Sequence, residues 1–343
     1  MSSTPMVPRV ALLSTGGTIA SIPGPDGRAV AGVLPGDALL QHVGLEGRYS
    51  IRVHSIFQKG SNAIGTTEWL KLASVCRELI EQGDTDGIVI THGTDTLEDT
   101  AYCLHCLLDT YAVPIVVTGS QRVPQAVGTD AYANLRDAIQ LAAHPRARDL
   151  GVLVCFNQSV FSAGFVRKVS TFQLHGFDAP VWGPAGLMDE GRFHLMQRPA
   201  RQVLLPFPDS PVPRVDIVPA YGGAEATFLE AILESGPAGL VIDALGRGQI
   251  PPAWSKPLGA AITRGMKVVV CSSSLHGPTH ESYDYPGTLH ELVQAGATAV
   301  SHLSARKARI RLALLLATGE RENQQISRCF EWHMYLTSPN PQG

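Results

Sequence analysis

The stretch IVITHGTDTLE, residues 88–98, joins an apolar run to a glycine and then to a helix-like segment. An apolar run of this length is typical of a strand that is buried on both faces. Asp95, followed three residues later by Glu98, has the spacing of a capped helix N-terminus. A strand that passes through a glycine turn into a helix is the repeating unit of an α/β fold.

Units of the same kind recur along the chain. The apolar runs that end in a turn are RVALLS (9–14), VPIVVTGS (113–120), LGVLVCFN (150–157), AGLVIDALG (238–246) and MKVVVCSSS (266–274). Apolar residues occur at helical spacing in residues 68–82, 96–111, 130–143 and, as a final long helix, near 307–318. The sequence therefore predicts an α/β protein whose larger N-terminal domain has a mostly parallel, doubly wound sheet, followed by a smaller C-terminal α/β domain.

The length and a proline-rich segment indicate where the domains divide. A chain of 343 residues exceeds the usual size of a single core. Six prolines fall within PARQVLLPFPDSPVPRVDIVP, residues 199–219, a composition that suits an extended linker. We predict an N-terminal domain over 1–198, a linker over 199–213 and a C-terminal domain over 214–343.

Charge and apolar patterning argue against several classes of partner. The formal charge of -3 provides no basic field for nucleic acid or for an anionic membrane. No apolar stretch approaches the length of a membrane span. The N-terminus MSSTPMVPRVALL lacks the basic and apolar regions of a secretory signal, which favours a cytoplasmic location.

The six cysteines include one pair with metal-site spacing, Cys103 and Cys106. This pair lies within a helix-like segment, and no second ligand pair follows at zinc-site spacing. Ordinary helix packing is therefore expected for these thiols, and no metal site is predicted.

Two Gly-Thr turns of similar design are the first candidates for chemistry. ALLSTGGTIAS (11–21) and IVITHGTDTLE (88–98) each run from a strand through glycine to a threonine, Thr18 or Thr94. Ligands of open α/β sheets bind at the carboxyl ends of strands, where both threonines should lie. The glycines allow close backbone approach and expose N–H groups that can stabilise a developing oxyanion.

A threonine hydroxyl needs a base before it can act as a nucleophile. Asp95 adjoins Thr94, but an ionised aspartate is a weak base, so a lysine held near the acid would complete the group. Lys168 is the candidate, although from the residues alone an ordinary surface lysine is the favoured interpretation. Thr18 likewise reads as a turn residue, and Thr94 with Asp95 as a helix cap. Phosphate-binding motifs of the G-x-G-x-x-G and G-x-x-x-x-G-K-[ST] types are absent from the sequence.

Several long motifs resemble the bacterial-type L-asparaginase family, which includes glutaminase-asparaginases. The two signature motifs correspond to STGGTIAS (14–21) and ITHGTDTLEDTAY (90–102). Further similar segments are VTGSQ (117–121), TDAYANLRDAI (129–139), GVLVCFN (151–157) and LSARKARIRLALLLA (303–317).

The resemblance implies hydrolysis of L-asparagine to L-aspartate and ammonia without a metal or organic cofactor. Thr18 would be the nucleophile that forms an acyl-enzyme. Thr94, Asp95 and Lys168 would activate or position hydroxyl groups and water, the lysine being matched within VRKVST (166–171). Ser61 would help to bind the substrate α-carboxylate, and Asp95 the α-amino group. The substrate-binding positions that the resemblance implies are Gly17, Ser61, Asn62, Gly93, Thr94 and Asp95.

The chain departs from the family pattern in three places. Asn62 follows Ser61 where the family often has glutamine or threonine. Many members have a tyrosine soon after the first motif, but GPDGRAVAG (24–32) has none, and the guanidinium of Arg28 cannot replace a phenol as a proton shuttle. The acid that closes the site from a neighbouring subunit has no clean match, and Glu281, Tyr283 and Tyr285 are the candidates.

The resemblance thus predicts a cytoplasmic L-asparaginase that forms a homodimer or homotetramer. Within the same chemistry, the alternatives are a dual-specificity glutaminase-asparaginase and an amidotransferase subunit that releases ammonia for another protein. From another class, the alternative is a catalytically impaired amino-acid-binding relative, which the missing tyrosine motivates.

Overall fold

The computed structural model describes residues 7–24, 26, 28–30, 34–200 and 203–331. The chain forms two compact units, with the boundary after Leu204. This boundary lies within 199–213, where the described residues form neither helix nor strand. The domain limits 1–198 and 214–343, with a linker between them, stay a prediction.

The N-terminal unit contains strands and helices in alternation. Its described strands are β1 (Arg9–Gly16), β2 (Ile22–Pro23), β3 (Ala29–Val30), β4 (Ser50–Lys59), β5 (Gly87–Thr91), β6 (Ile115–Thr118), β7 (Leu153–Phe156), β8 (Ser159–Ser162), β9 (Arg167–Lys168), β10 (Phe177–Asp178), β11 (Gly186–Asp189) and β12 (Arg192–Leu195). Its described helices are α1 (Gly36–Leu40), α2 (Thr66–Gln82), α3 (Leu97–Leu107) and α4 (Ala131–Ala142).

Eight of these strands form one sheet in the order β4-β1-β5-β6-β7-β8-β11-β12. Neighbours from β4 to β7 are parallel, and the three strands beyond β7 are antiparallel. Every residue of β5, β6 and β7 is buried, which explains their near-continuous apolar sequences. Helix α4 packs against these strands, with Leu135 and Ile139 in the same apolar cluster as Val89 and Val116.

The C-terminal unit has a smaller sheet of four parallel strands. They are β13 (Val215–Pro219), β14 (Gly239–Ala244), β15 (Lys267–Ser272) and β16 (Thr298–Ala299), in that order. The described helices of this unit are α5 (Ala226–Glu234), α6 (Pro252–Thr263), α7 (Leu289–Ala295), α8 (Ala305–Ala317) and α9 (Asn323–Phe330). The predicted fold class is confirmed, since a large, mostly parallel sheet is followed by a smaller parallel one.

Some elements differ from the sequence prediction. Strand β4 lies at an edge of the sheet and is more exposed than its neighbours, so it lacks their continuous apolar run. The antiparallel extension was also not predicted. Its two hairpins turn through Asn157-Gln158 and Glu190-Gly191, all with positive φ, where Gln158 and Glu190 are weak turn signals.

Two predictions about the helices were wrong, one about where a helix ends and one about which helix is the last. Helix α3 ends at Leu107, short of residue 111, because Leu108 adopts an extended conformation. The helix predicted near 307–318 forms as α8, but it is not the final one, because α9 follows it at Asn323–Phe330.

Candidate active site

The two Gly-Thr turns lie side by side at the same edge of the sheet. Strands β1 and β5 are parallel neighbours, with Ser14 opposite Thr91, so the turns that follow them meet. Gly17 has φ +83° and ψ −175°, a region that is open essentially only to glycine. A Cβ atom at Gly17 would collide with the backbone of Gly93, so the second turn can approach only because residue 17 has no side chain.

Lys168 joins Thr94 and Asp95 into one group. Its Nζ donates to Thr94 Oγ1 at 2.7 Å and to Asp95 Oδ1 at 2.7 Å. The lysine side chain is only 17% exposed, whereas the Asp95 side chain is 70% exposed. The terminal nitrogen of Lys168 is therefore held by one hydroxyl and one carboxylate. The three residues that the resemblance implies as a second catalytic group are thus in contact.

Helix α3 positions the short strand that carries Lys168. The backbone N–H of Lys168 donates to Glu98 Oε2 at 3.0 Å, and Glu98 is buried in the first turn of α3. Thr94 and Asp95 precede this same helix, so one structural element orients both halves of the group. The sequence indicated Glu98 only as part of a helix cap after Asp95, but the N-cap of α3 is Thr96 without a side-chain cap hydrogen bond, and Glu98 holds the backbone of Lys168.

Gln121 is a site residue that the sequence reasoning missed. Its Nε2 donates to the backbone carbonyls of Ser170 at 3.2 Å and Gln173 at 3.0 Å, and its Oε1 lies 3.5 Å from Thr94 Oγ1. The sequence signal that could have indicated Gln121 was its position in VTGSQ, just after β6. Because β6 is the parallel neighbour of β5, the segments that follow the two strands lie side by side.

Ser61 brings a third segment of chain to the two turns. Its Oγ accepts from the Asp95 N–H at 3.3 Å, and its carbonyl accepts from Thr96 Oγ1 at 2.6 Å. A Cβ atom on Gly93 would lie 2.8 Å from Ser61 Oγ, so Gly93 allows this approach as well. The neighbouring Asn62 is exposed, and its role in binding substrate stays a prediction.

Thr18 begins a short 3-10 turn, Thr18–Ala20, and is half-buried. Its hydroxyl makes no hydrogen bond to any residue that the structure describes. Arg28, the residue nearest in sequence to the expected tyrosine, is exposed and pairs with Asp26 at 3.6 Å. Much of 24–33 lies outside the described residues. The structure thus does not assign a partner to Thr18.

The proposed closing residues lie in the C-terminal unit. Glu281 Oε2 is 2.9 Å from His290 Nδ1, and the ring of Tyr283 lies 5.6 Å from that of Tyr285. All four side chains are on exposed residues. A role for Glu281 or Tyr283 in closing the site stays a prediction.

His92 is the titratable group near the turns whose pKa is most strongly altered. Burial lowers the pKa of its ring from the ordinary 6.5 to about 4, partly opposed by its hydrogen bond to the Gly93 carbonyl. The ring is therefore neutral at neutral pH. The buried ring contacts the Thr100 hydroxyl and the Gly93 carbonyl.

Metal-ligating side chains do not gather in the described part of the chain. Among those residues, no three His, Cys, Asp or Glu side chains lie close enough to hold an ion. Cys103 and Cys106 are fully buried on α3.

Across residues 7–331, apart from the short undescribed gaps, the helices are too short or too polar to span a bilayer.

Comparison with known proteins identifies the family. Residues 9–201 match the family described as "Asparaginase, N-terminal", and residues 214–330 match "Glutaminase/Asparaginase C-terminal domain". The chain belongs to the asparaginase family. The recognition made from the two threonine motifs is therefore confirmed.

Individual relatives of this asparaginase-family chain match nearly its whole length. It is 37% identical to an L-asparaginase of Bacillus licheniformis over 90% of the chain and 96% of the relative. It is 38% identical to a probable L-asparaginase of Deinococcus radiodurans over 94% of the chain and 97% of the relative. A crystal structure of a probable cytoplasmic L-asparaginase from Campylobacter jejuni matches with a TM-score of 0.84 at 28% identity, covering 94% of this chain and 99% of the other.

Proposed function

We propose that this asparaginase-family protein hydrolyses L-asparagine to L-aspartate and ammonia, with Thr18 as the nucleophile. The observation that carries the proposal is that Lys168 Nζ lies 2.7 Å from both Thr94 Oγ1 and Asp95 Oδ1. Thr94 and Asp95 belong to the turn that packs against Gly17. A lysine that contacts both a hydroxyl and a carboxylate can exchange protons with the hydroxyl while the carboxylate keeps it oriented.

The reaction proceeds in two steps, formation of an acyl-enzyme and its hydrolysis. In the first step, Thr18 Oγ bonds to the side-chain amide carbon of asparagine, its proton passes to the amide nitrogen, and ammonia leaves. The product is an aspartyl ester of Thr18. In the second step, water adds to the ester carbon, a water proton is relayed through the Thr94 hydroxyl and the Lys168 amino group to Thr18 Oγ, and the ester bond breaks, which restores the Thr18 hydroxyl and releases aspartate.

The polar groups around the turns suit the charges of an α-amino acid. The exposed carboxylate of Asp95 is a partner for the α-ammonium group. Ser61 Oγ already accepts the Asp95 N–H, so its own proton is left to donate to the α-carboxylate. The start of α3 adds partial positive charge nearby. These contacts support a small amino acid as the substrate.

Replacing Thr18 tests the proposal directly. The unaltered chain is expected to release ammonia from L-asparagine, and Thr18→Ala is expected to lose activity by a factor of at least about 1000. Thr18→Ser keeps a hydroxyl and is expected to retain part of the rate. Ammonia is measured together with the thermal midpoint of each variant. Equal activity in Thr18→Ala would remove Thr18 from the role of nucleophile.

Two alternatives are separated by the same assay. A catalytically impaired amino-acid-binding relative is favoured by one observation, that the Thr18 hydroxyl has no hydrogen-bond partner among the described residues. It requires aspartate binding without ammonia release from any amide. A dual-specificity glutaminase-asparaginase requires comparable rates from glutamine and asparagine, and the exposed Asn62 is the nearby departure that makes glutamine worth assaying.

We also propose that the protein acts in the cytoplasm, as the name of the Campylobacter jejuni protein suggests for that relative. Cell fractionation with an antibody to the chain tests the location. Recovery with exported proteins would contradict it.

A further inference from the structure

A buried row of side chains leads to the peptide bond between Gly93 and Thr94. Trp69 Nε1 donates to Thr100 Oγ1 at 2.9 Å, Thr100 Oγ1 lies 2.9 Å from His92 Nε2, and His92 Nδ1 lies 2.8 Å from the Gly93 carbonyl oxygen. The three side chains come from α2, α3 and the turn after β5, and each is at most 4% exposed. The proposed reaction does not use any of them.

The direction of every hydrogen bond in this row follows from its two ends. An indole N–H can only donate, and a carbonyl oxygen can only accept. Thr100 therefore accepts from Trp69, and His92 carries a proton on Nδ1, which it donates to Gly93. Because the buried ring is neutral, its Nε2 has no proton and accepts the proton of Thr100. The row therefore has one proton arrangement.

The far side of the same peptide bond faces the reaction site. In a trans peptide the N–H points opposite to the carbonyl, so a Gly93 carbonyl directed at the buried His92 ring turns the Thr94 N–H away from the core. That N–H has no hydrogen-bond partner among the residues that the structure describes. Gly93 packs directly against Gly17, which places this N–H beside the turn that carries Thr18.

We propose that Trp69, Thr100 and His92 are positioning residues that aim the Thr94 N–H at the substrate oxygen on which negative charge develops. This inference rests on the proposed amide hydrolysis. A donor held in place before the reaction stabilises the transition state more than the bound substrate. The row thus acts through the backbone, without contact between its side chains and the substrate.

The decisive variant is Thr100→Val, which has nearly the same shape but lacks the hydroxyl. Thr100→Val removes the hydrogen bond at His92 Nε2, so the ring keeps its Nδ1–H bond to Gly93 but loses its second anchor and holds the Gly93 carbonyl less firmly. We expect kcat for asparagine to fall by about tenfold, while KM changes by less than about twofold. Thr100→Ser restores the hydroxyl and is expected to restore most of kcat. Trp69→Phe, which removes only the first donor, is expected to lower kcat by a smaller factor.

A second measurement does not depend on catalysis. With 15N-labelled histidine, nuclear magnetic resonance should assign the Nδ1–H tautomer to His92 in the unaltered protein, and in Thr100→Val the Nε2 resonance should move toward that of a ring nitrogen without a hydrogen bond. His92→Asn, which keeps a donor near the Nδ1 position, should retain more kcat than His92→Leu. If Thr100→Val does not fold, the tautomer of the unaltered protein and the comparison of His92→Asn with His92→Leu still test the positioning role.

The possible results separate the two claims. No ammonia release by the unaltered chain contradicts the proposed function, and the tautomer spectrum still tests the proton arrangement. An active unaltered chain with unchanged kcat in folded Thr100→Val overturns the positioning role and leaves the function intact. An Nε2–H tautomer in the unaltered protein also overturns it. A loss of kcat that Thr100→Ser rescues supports it.

Discussion

At the scale of single residues, the contacts of Lys168 explain how a basic side chain can serve a threonine site. Its Nζ has two hydrogen-bond partners, Thr94 and Asp95, and its backbone N–H is held by Glu98. A side chain with this many fixed contacts has lost the rotamer freedom that a surface lysine keeps. Its orientation toward Thr94 is therefore set before substrate arrives.

Replacing Lys168 should separate activity from stability. We expect Lys168→Met to lower kcat by a factor of about 100 to 10000, because proton exchange with Thr94 is lost. The free energy of unfolding should change by no more than about 1 kcal/mol, because the partner carboxylate is largely exposed. Ammonia release measures kcat, and urea unfolding measures the free energy of unfolding.

Lys168→Arg is the matched control for charge. It keeps a cation near Asp95, but a guanidinium does not give up its proton at working pH. Lys168→Arg should therefore be nearly as inactive as Lys168→Met. Full activity in either variant would return Lys168 to the role of a surface residue.

His92 should make stability depend on pH. In the folded protein its pKa is about 4, below the ordinary 6.5. At pH values between these two, the unfolded chain therefore binds a proton at His92 more readily than the folded chain does. Stability from this group is thus fully present above the unfolded pKa and is lost as pH falls toward the folded one. Linkage predicts a loss of about 2 kcal/mol between about pH 7.5 and pH 5.

Urea unfolding at a series of pH values measures this slope. His92→Asn has no titrating ring, so the difference between the two slopes isolates the histidine from other groups. Parallel curves for the two proteins would mean that the pKa of His92 is not lowered by burial.

At the scale of elements, the close approach of the two turns depends on glycine. We expect Gly17→Ala to lower activity by at least about 100-fold, because a Cβ would push the Gly93 turn away and displace the reacting groups. It should also lower the free energy of unfolding, since the φ and ψ of Gly17 suit only glycine. Activity and thermal midpoint are measured together.

Gly44→Ala is the control for backbone strain alone. Gly44 also has positive φ, at +65°, but a Cβ there would meet nothing within 4 Å. This change should cost about 1–2 kcal/mol of stability and leave activity intact. Equal activity losses in both variants would show that strain, and not the approach of the turns, controls the site.

At the scale of the whole molecule, the described residues that hydrogen-bond to Lys168 belong to the N-terminal unit, while the candidates for closing the site belong to the C-terminal unit. The resemblance to the family predicts that the closing residue comes from a neighbouring subunit. Large apolar side chains are exposed on the N-terminal unit, including Phe172 at 75% and Val127 at 98%. Apolar side chains that are exposed singly are common on monomers as well, so the prediction of an assembly rests on the closing residue.

Light scattering should therefore give a mass of two or four times the 36.6 kDa of one chain. Association buries apolar surface and should persist at the protein concentrations used in the assay. Measurement over a dilution series, with activity followed in parallel, tests whether assembly and turnover are linked. A mass of one chain with full activity would contradict the predicted homo-oligomer.

The sequence by itself determined the α/β class, the buried parallel strands and the two Gly-Thr turns, because these depend on local apolar runs and on residues that are neighbours in the chain. The residues taken alone could not determine which distant residues meet, and for Lys168 and Ser61 only the resemblance to the family predicted it. Lys168 lies 73 residues from Asp95 in sequence, and Gln121 and Ser61 reach Thr94 and Asp95 from other strand ends. Only the parallel pairing of the strands brings these ends to one edge of the sheet. The edge strand β4 and the antiparallel hairpins also required the tertiary structure, because their residues have weak local patterns and are stabilised by pairing with neighbours.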